Sequence, residues 1–200
     1  VASVSGSSGK VFLKSATSSG TTGDVSISSG ASQYRDSGSI SISTGMSSSC
    51  SSGSVHISGG SSAAGAGATV SVSGGSAENN EGGDVAINGG SGSYGGDIRI
   101  ASGVGSSSQG GSVSLAAADG ASGPVGGSVI VRARLVTGGD GGDAVLLGGD
   151  SSTAGRTGGN VIVTSGSASE GASGSVSIFS GVSKSGSTGT LSLSSSNSDH

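Results

Sequence analysis

The chain has 200 residues, 44 of them glycine, with 2% aromatic residues, 10% charged residues and a formal net charge of −4. Average usage is about 7% glycine and about 25% charged residues, so the composition is strongly biased, and a pI near 4.8 leaves no basic stripe for nucleic acid. The single cysteine, Cys50, excludes an internal disulfide framework, and no run approaches the roughly 18 apolar residues of a membrane helix.

Glycine does not recur at every third position, which excludes collagen. Disorder usually brings high net charge and abundant proline, whereas this chain has one proline, Pro124, and its apolar residues are phased. The phasing is a V-x-I pair that returns about every fifteen residues. In chain order the pairs are Val11/Leu13, Val25/Ile27, Ile40/Ile42, Val55/Ile57, Val70/Val72, Val85/Ile87 and Ile98/Ile100, followed by Val113/Leu115, Val129/Val131, the weakened Ala144/Leu146, Val161/Val163, Val176/Ile178 and Leu191/Leu193. Alternation with period two is the mark of a strand with one buried face, and valine and isoleucine favour strands. Glycines on both sides mark tight turns. Departures from fifteen are expected in the turns, where added length costs little; the stretch Gly120–Pro124 is one such place.

Similar short units at a fixed spacing stack as successive coils of a parallel β-solenoid. The expected fold is therefore all-β: a single-domain β-solenoid (β-helix) of about 13 coils, with a period of about 15 residues. It contains no helices, and its repeat units cover residues 9–196 of one domain spanning 1–200. Coils about 4.8 Å apart would make a rod of roughly 60 Å. An antiparallel meander is the structural alternative. A column of turn-forming residues, including Asp24, Ser39, Ser54, Asp84 and Asp97, precedes the pairs and is expected to bond to nearby backbone.

The repeat starts almost at once and Leu191/Leu193 lies close to His200, so caps lie outside the segment or the ends pair with other copies. The chain opens on Val1 rather than methionine, as expected of a processed chain or one part of a longer one. The residue between the two members of each pair should face outward, and Ile130, Val145 and Ile162 then form a stacked apolar stripe with Leu147 beside it. A stripe of this kind is expected to be a lateral interface with another copy; the competing expectation is that the chain itself covers it.

Chemistry is sparse. Gly138–Leu146 fits the calcium β-roll unit G-G-x-G-x-D-x-U-x once, making Asp140, Asp143 and Asp150 calcium candidates, with solvated turn residues as the bland reading. No metal or other cofactor is otherwise expected. One cysteine and two histidines exclude a zinc site. Ser7-Ser8-Gly9-Lys10 matches S-x-x-K in a background so rich in serine that chance explains it, and His56 reads as an outward strand residue. The chain is therefore expected not to be an enzyme.

Stretches such as Gly38-Ser39-Ile40-Ser41-Ile42-Ser43-Thr44-Gly45 and Gly174-Ser175-Val176-Ser177-Ile178 resemble the Gly/Ser-rich repeat proteins predicted from diatom and related algal genomes. The resemblance covers most of the chain and implies an extracellular surface or matrix role, without carrying over any functional residue. The functional expectation is a structural, extracellular protein that self-associates end to end or laterally into a fibre or surface layer. Its partners are other copies, with an extracellular glycan or mineral surface as a further one. The alternative is an ice-binding (antifreeze) or glycan- or mineral-binding surface.

Overall fold

The computed structural model describes residues 7–106, 109–119, 126–134 and 137–196. The chain divides into two units, Val1–Ile98 and Arg99–His200. Among the described residues there is no strand and no helix, and no side chain is buried. The expected all-β solenoid is therefore overturned, and with it the β-helix description and the antiparallel meander. The accessible surface is 19940 Å². A compact chain of this mass would expose about 8,000 Å², so far more surface is open to water than an enclosed core would leave.

The period survives in a different form. Backbone hydrogen bonds close one loop after another: Ala68 N–H to Gly60 O, Gly83 to Gly75 and Gly96 to Gly90 in the first unit. In the second unit they run from Gly111 to Gly103, Gly127 to Ala118, Gly159 to Gly149 and Gly174 to Gly166, and all seven closures measure 2.8–3.1 Å. A solenoid needs bonds between residues about fifteen apart, from one coil to the next. These bonds join residues six to ten apart. Each uses the amide just before one apolar pair and the carbonyl just after the previous pair, so a group that a coil-to-coil ladder would require is already committed within its own loop.

Composition explains why the chain closes locally. Two branched side chains in fifteen residues offer little apolar area to enclose, and glycine gives up more conformational freedom on ordering than any other residue. A local closure fixes few residues per bond, whereas a stacked coil must fix all of them.

The closures also account for the irregular spacing. An interval of thirteen between successive pairs (Val85 to Ile98) carries a closure spanning six residues, intervals of fifteen carry eight, sixteen (Val113 to Val129) carries nine and seventeen (Ala144 to Val161) carries ten. What remains is constant. From each donor to the next acceptor runs an eight-residue strip with the pair at its third and fifth positions: 68–75 and 83–90 in the first unit, 111–118 and 159–166 in the second. Across these closures the variation in length falls in the closed loops. The insert expected around Gly120–Pro124 lies outside the described residues.

Candidate functional site

The strips are the repeated chemical surface of this chain. Their entrance and exit are set by close backbone approach. A Cβ on Gly59 would lie 2.6 Å from the carbonyl oxygen of Ala68, and one on Gly74, Gly89 or Gly148 would run into the carbonyl of Gly83, Gly96 or Gly159. Glycine is required where the approach is this close, whereas Ser102, Ala117 and Ser165 hold the same phase at the closures of Gly111, Gly127 and Gly174. The sequence signal is a Gly-Gly doublet at both mouths of a loop, as in Gly74-Gly75 with Gly82-Gly83, and Gly148-Gly149 with Gly158-Gly159. Pair periodicity alone does not reveal that these doublets face each other.

Between its mouths each loop turns at a bend, at 33–35, 48–50, 63–65 and 78–80 in the first unit, again fifteen residues apart. At three of these bends a serine hydroxyl braces the turn. Arg35 N–H donates to Ser32 Oγ at 3.2 Å, Cys50 N–H to Ser47 Oγ at 3.1 Å and Gly65 N–H to Ser62 Oγ at 2.9 Å. The same brace recurs as Gly186 N–H to Ser183 Oγ at 2.8 Å in the second unit. These serines are not the column expected to fix the turns; they sit in the middle of the loops. Elsewhere in the second unit, Gly155 (φ 74°) and Gly171 (φ 104°) turn the loop in the left-handed region that glycine tolerates.

Within the strips the apolar pairs are in water. The first member is half covered by its own backbone surroundings (Val85 48% exposed, Val176 49%), and the second is more open (Val72 76%). The expected interface residues Ile130, Val145, Leu147 and Ile162 are exposed, but they are not a distinct stripe beside an enclosed core. Val131, expected inward, is 81% exposed while its outward neighbour Ile130 is 71% exposed. Both members of the comparison face solvent, because no solenoid coil encloses either.

The calcium candidates are spread along the chain. Asp140 lies beside the bend at 137–139, Asp143 is next to the Ala144/Leu146 pair, and Asp150 follows the acceptor Gly149 into the next loop. Among the described residues no three His, Cys, Asp or Glu side chains gather into a group that would hold a metal ion. Cys50 is exposed as a free thiol at the bend braced by Ser47. No helix among the described residues is long and apolar enough to cross a membrane.

Comparison with family models, with curated proteins and with solved structures yields no match.

Proposed function

We propose that the chain is a non-catalytic, extracellular structural protein whose copies associate, end to end or side by side, into a fibre or surface layer. One observation carries the reading: an eight-residue strip of constant length presents an aliphatic pair to solvent again and again, while the loops between the closures vary from six to ten residues. Exposed aliphatic pairs at this density favour contact with another apolar surface, since fully covering a valine or isoleucine is worth about 1.5–3 kcal/mol.

The partner best matched to that surface is a second copy. It carries strips of the same length and pairs at the same phase, so contact at one strip brings the next into place. Repeated weak contacts of this kind gain through effective concentration. A net charge of −4 over 200 residues sets only weak repulsion between copies. An extracellular setting rests on the resemblance to Gly/Ser-rich algal repeat proteins. Ice binding is less well supported, because a flat, ordered face of regular ranks needs a sheet and the described residues form none.

Sedimentation velocity and electron microscopy over a concentration series test the reading. Association that rises with concentration and ends in filaments or layers is expected; a monodisperse monomer at high concentration contradicts it.

A further inference from the structure

We infer that Asn88 is a site of spontaneous covalent modification, at which the side-chain amide is lost to attack by the backbone nitrogen of Gly89. The inference is independent of self-association. Asn88-Gly89 is the only Asn-Gly step in the chain; Asn79, Asn80 and Asn160 are followed by Asn80, Glu81 and Val161.

The reaction needs the amide nitrogen of the next residue to reach the asparagine Cγ and close a five-membered ring. Three things ordinarily oppose it: a side chain on the next residue, a hydrogen bond that holds the amide, and regular structure that fixes the backbone. None operates here. Residue 89 has no side chain, its N–H donates no hydrogen bond among those of the described residues, and 88–89 lie exposed outside any strand or helix. The glycine is also required at this loop mouth. A Cβ on Gly89 would run into the carbonyl oxygen of Gly96, just as one on Gly74 would run into that of Gly83. At the phase of Asn88 other strips carry Ser58, Ser73, Ala101, Ala116, Leu147 and Thr164, which do not react in this way.

The atoms balance without an outside oxidant or reductant. The Gly89 nitrogen loses its proton and forms a bond to Asn88 Cγ, and the Cγ–Nδ2 bond breaks. The nitrogen leaves as ammonia, and a cyclic imide remains. Water then opens the ring at one of its two carbonyls. Attack at Cγ leaves aspartate; attack at the backbone carbonyl leaves isoaspartate, with the main chain rerouted through Cβ. Both products add a carboxylate, ionised near neutral pH, to a strip that already holds Asp84. Isoaspartate also adds one backbone atom to a segment whose length is otherwise constant along the chain.

The test uses the full-length protein held in mildly alkaline and mildly acidic buffer. Cleavage after Glu81 and Arg99 releases 82–99, in which Asn88 is the only asparagine. Mass spectrometry of this peptide over time should show exchange of the side-chain nitrogen for oxygen. Conversion should be faster by an order of magnitude or more than at Asn79, Asn80 or Asn160, and faster in the alkaline buffer, where the attacking amide loses its proton more readily. Gly89→Ala should slow it. Conversion at Asn88 no faster than at Asn79, Asn80 and Asn160 overturns the inference, as does a rate unchanged by Gly89→Ala. Isomerisation at Asp140-Gly141 leaves mass unchanged and falls in a different peptide, so it does not confuse the reading.

Discussion

Strip and loop obey different rules within the same fifteen residues. From 83 to 90 the chain carries a valine, an isoleucine and Gly89, where an added Cβ would collide with the carbonyl of Gly96; from 75 to 83 it carries Glu78, Asn79, Asn80 and Glu81 around a bend. The strip keeps its length in both units, whereas the loops close over six, eight, nine or ten residues with nearly the same bond length. The lesson is that the conserved quantity of this repeat is not the interval between pairs. It is the segment from one closing amide to the next closing carbonyl, and the loop between closures is free to vary because its ends already meet.

That contrast is most sharply broken by insertion. Two residues added between Ala86 and Ile87 should displace one member of the pair and abolish regular association at that strip. The same two residues added between Asn79 and Asn80 should leave association unchanged, since lengthening a closed loop costs only a few tenths of a kcal/mol. Light scattering against concentration compares the two; equal effects would mean that strip and loop are not distinct.

Next in size is the charge substitution Val145→Asp. It places a carboxylate on an exposed strip position and should weaken association by about 1–3 kcal/mol, the burial worth of one aliphatic side chain. Val182→Asp lies outside the pairs, at a residue 99% exposed, and should change association little. If both shift the association midpoint alike, contact is not selective for the strips.

Smaller effects are expected at the closures and bends. Gly74→Ala drives a Cβ into the Gly83 carbonyl and should break the Gly83–Gly75 bond, worth about 1 kcal/mol, so that the Gly83 amide exchanges with solvent faster. Ser62→Ala removes the hydroxyl that accepts from Gly65 N–H. Because that bend is exposed, the loss should be about 0.5 kcal/mol and confined to exchange at Gly65, leaving Ala68–Gly60 closed. Exchange unaltered at Gly83 in the first variant, or opening of Ala68–Gly60 in the second, would separate the brace from the closure differently than described.

Much of this organisation is visible in the sequence, but its closure is not. The phase of Val55/Ile57, Val70/Val72 and Val85/Ile87 marks where the strips lie, and the glycines around them mark the loops. The step from period to solenoid fails because equal spacing fixes which residues are equivalent without fixing which backbone groups bond. Gly75 O is equally well placed in sequence to bond a neighbouring coil or the amide of Gly83, and the local partner is favoured by its low ordering cost. The Gly-Gly doublets facing each other across the loops 75–83, 90–96 and 149–159 carry that information. Ile130, Val145 and Ile162 are exposed, but so are the pair residues beside them, since no core is enclosed. The serine brace at Ser32, Ser47 and Ser62 is concealed by abundance, since a spacing of fifteen among so many serines does not stand out.

The central claim is that the aliphatic pairs are open to water in the single chain and covered only by another copy. Solvent paramagnetic relaxation of labelled valine and isoleucine methyls, read in dilute and concentrated solution, tests it directly. Val85, Ile87, Val161 and Val176 should be accessible when dilute and lose accessibility on concentration, while the loop residues Val104 and Val182, 98% and 99% exposed, stay accessible throughout. Pair methyls that are shielded at every dilution, or open at every concentration, contradict the account.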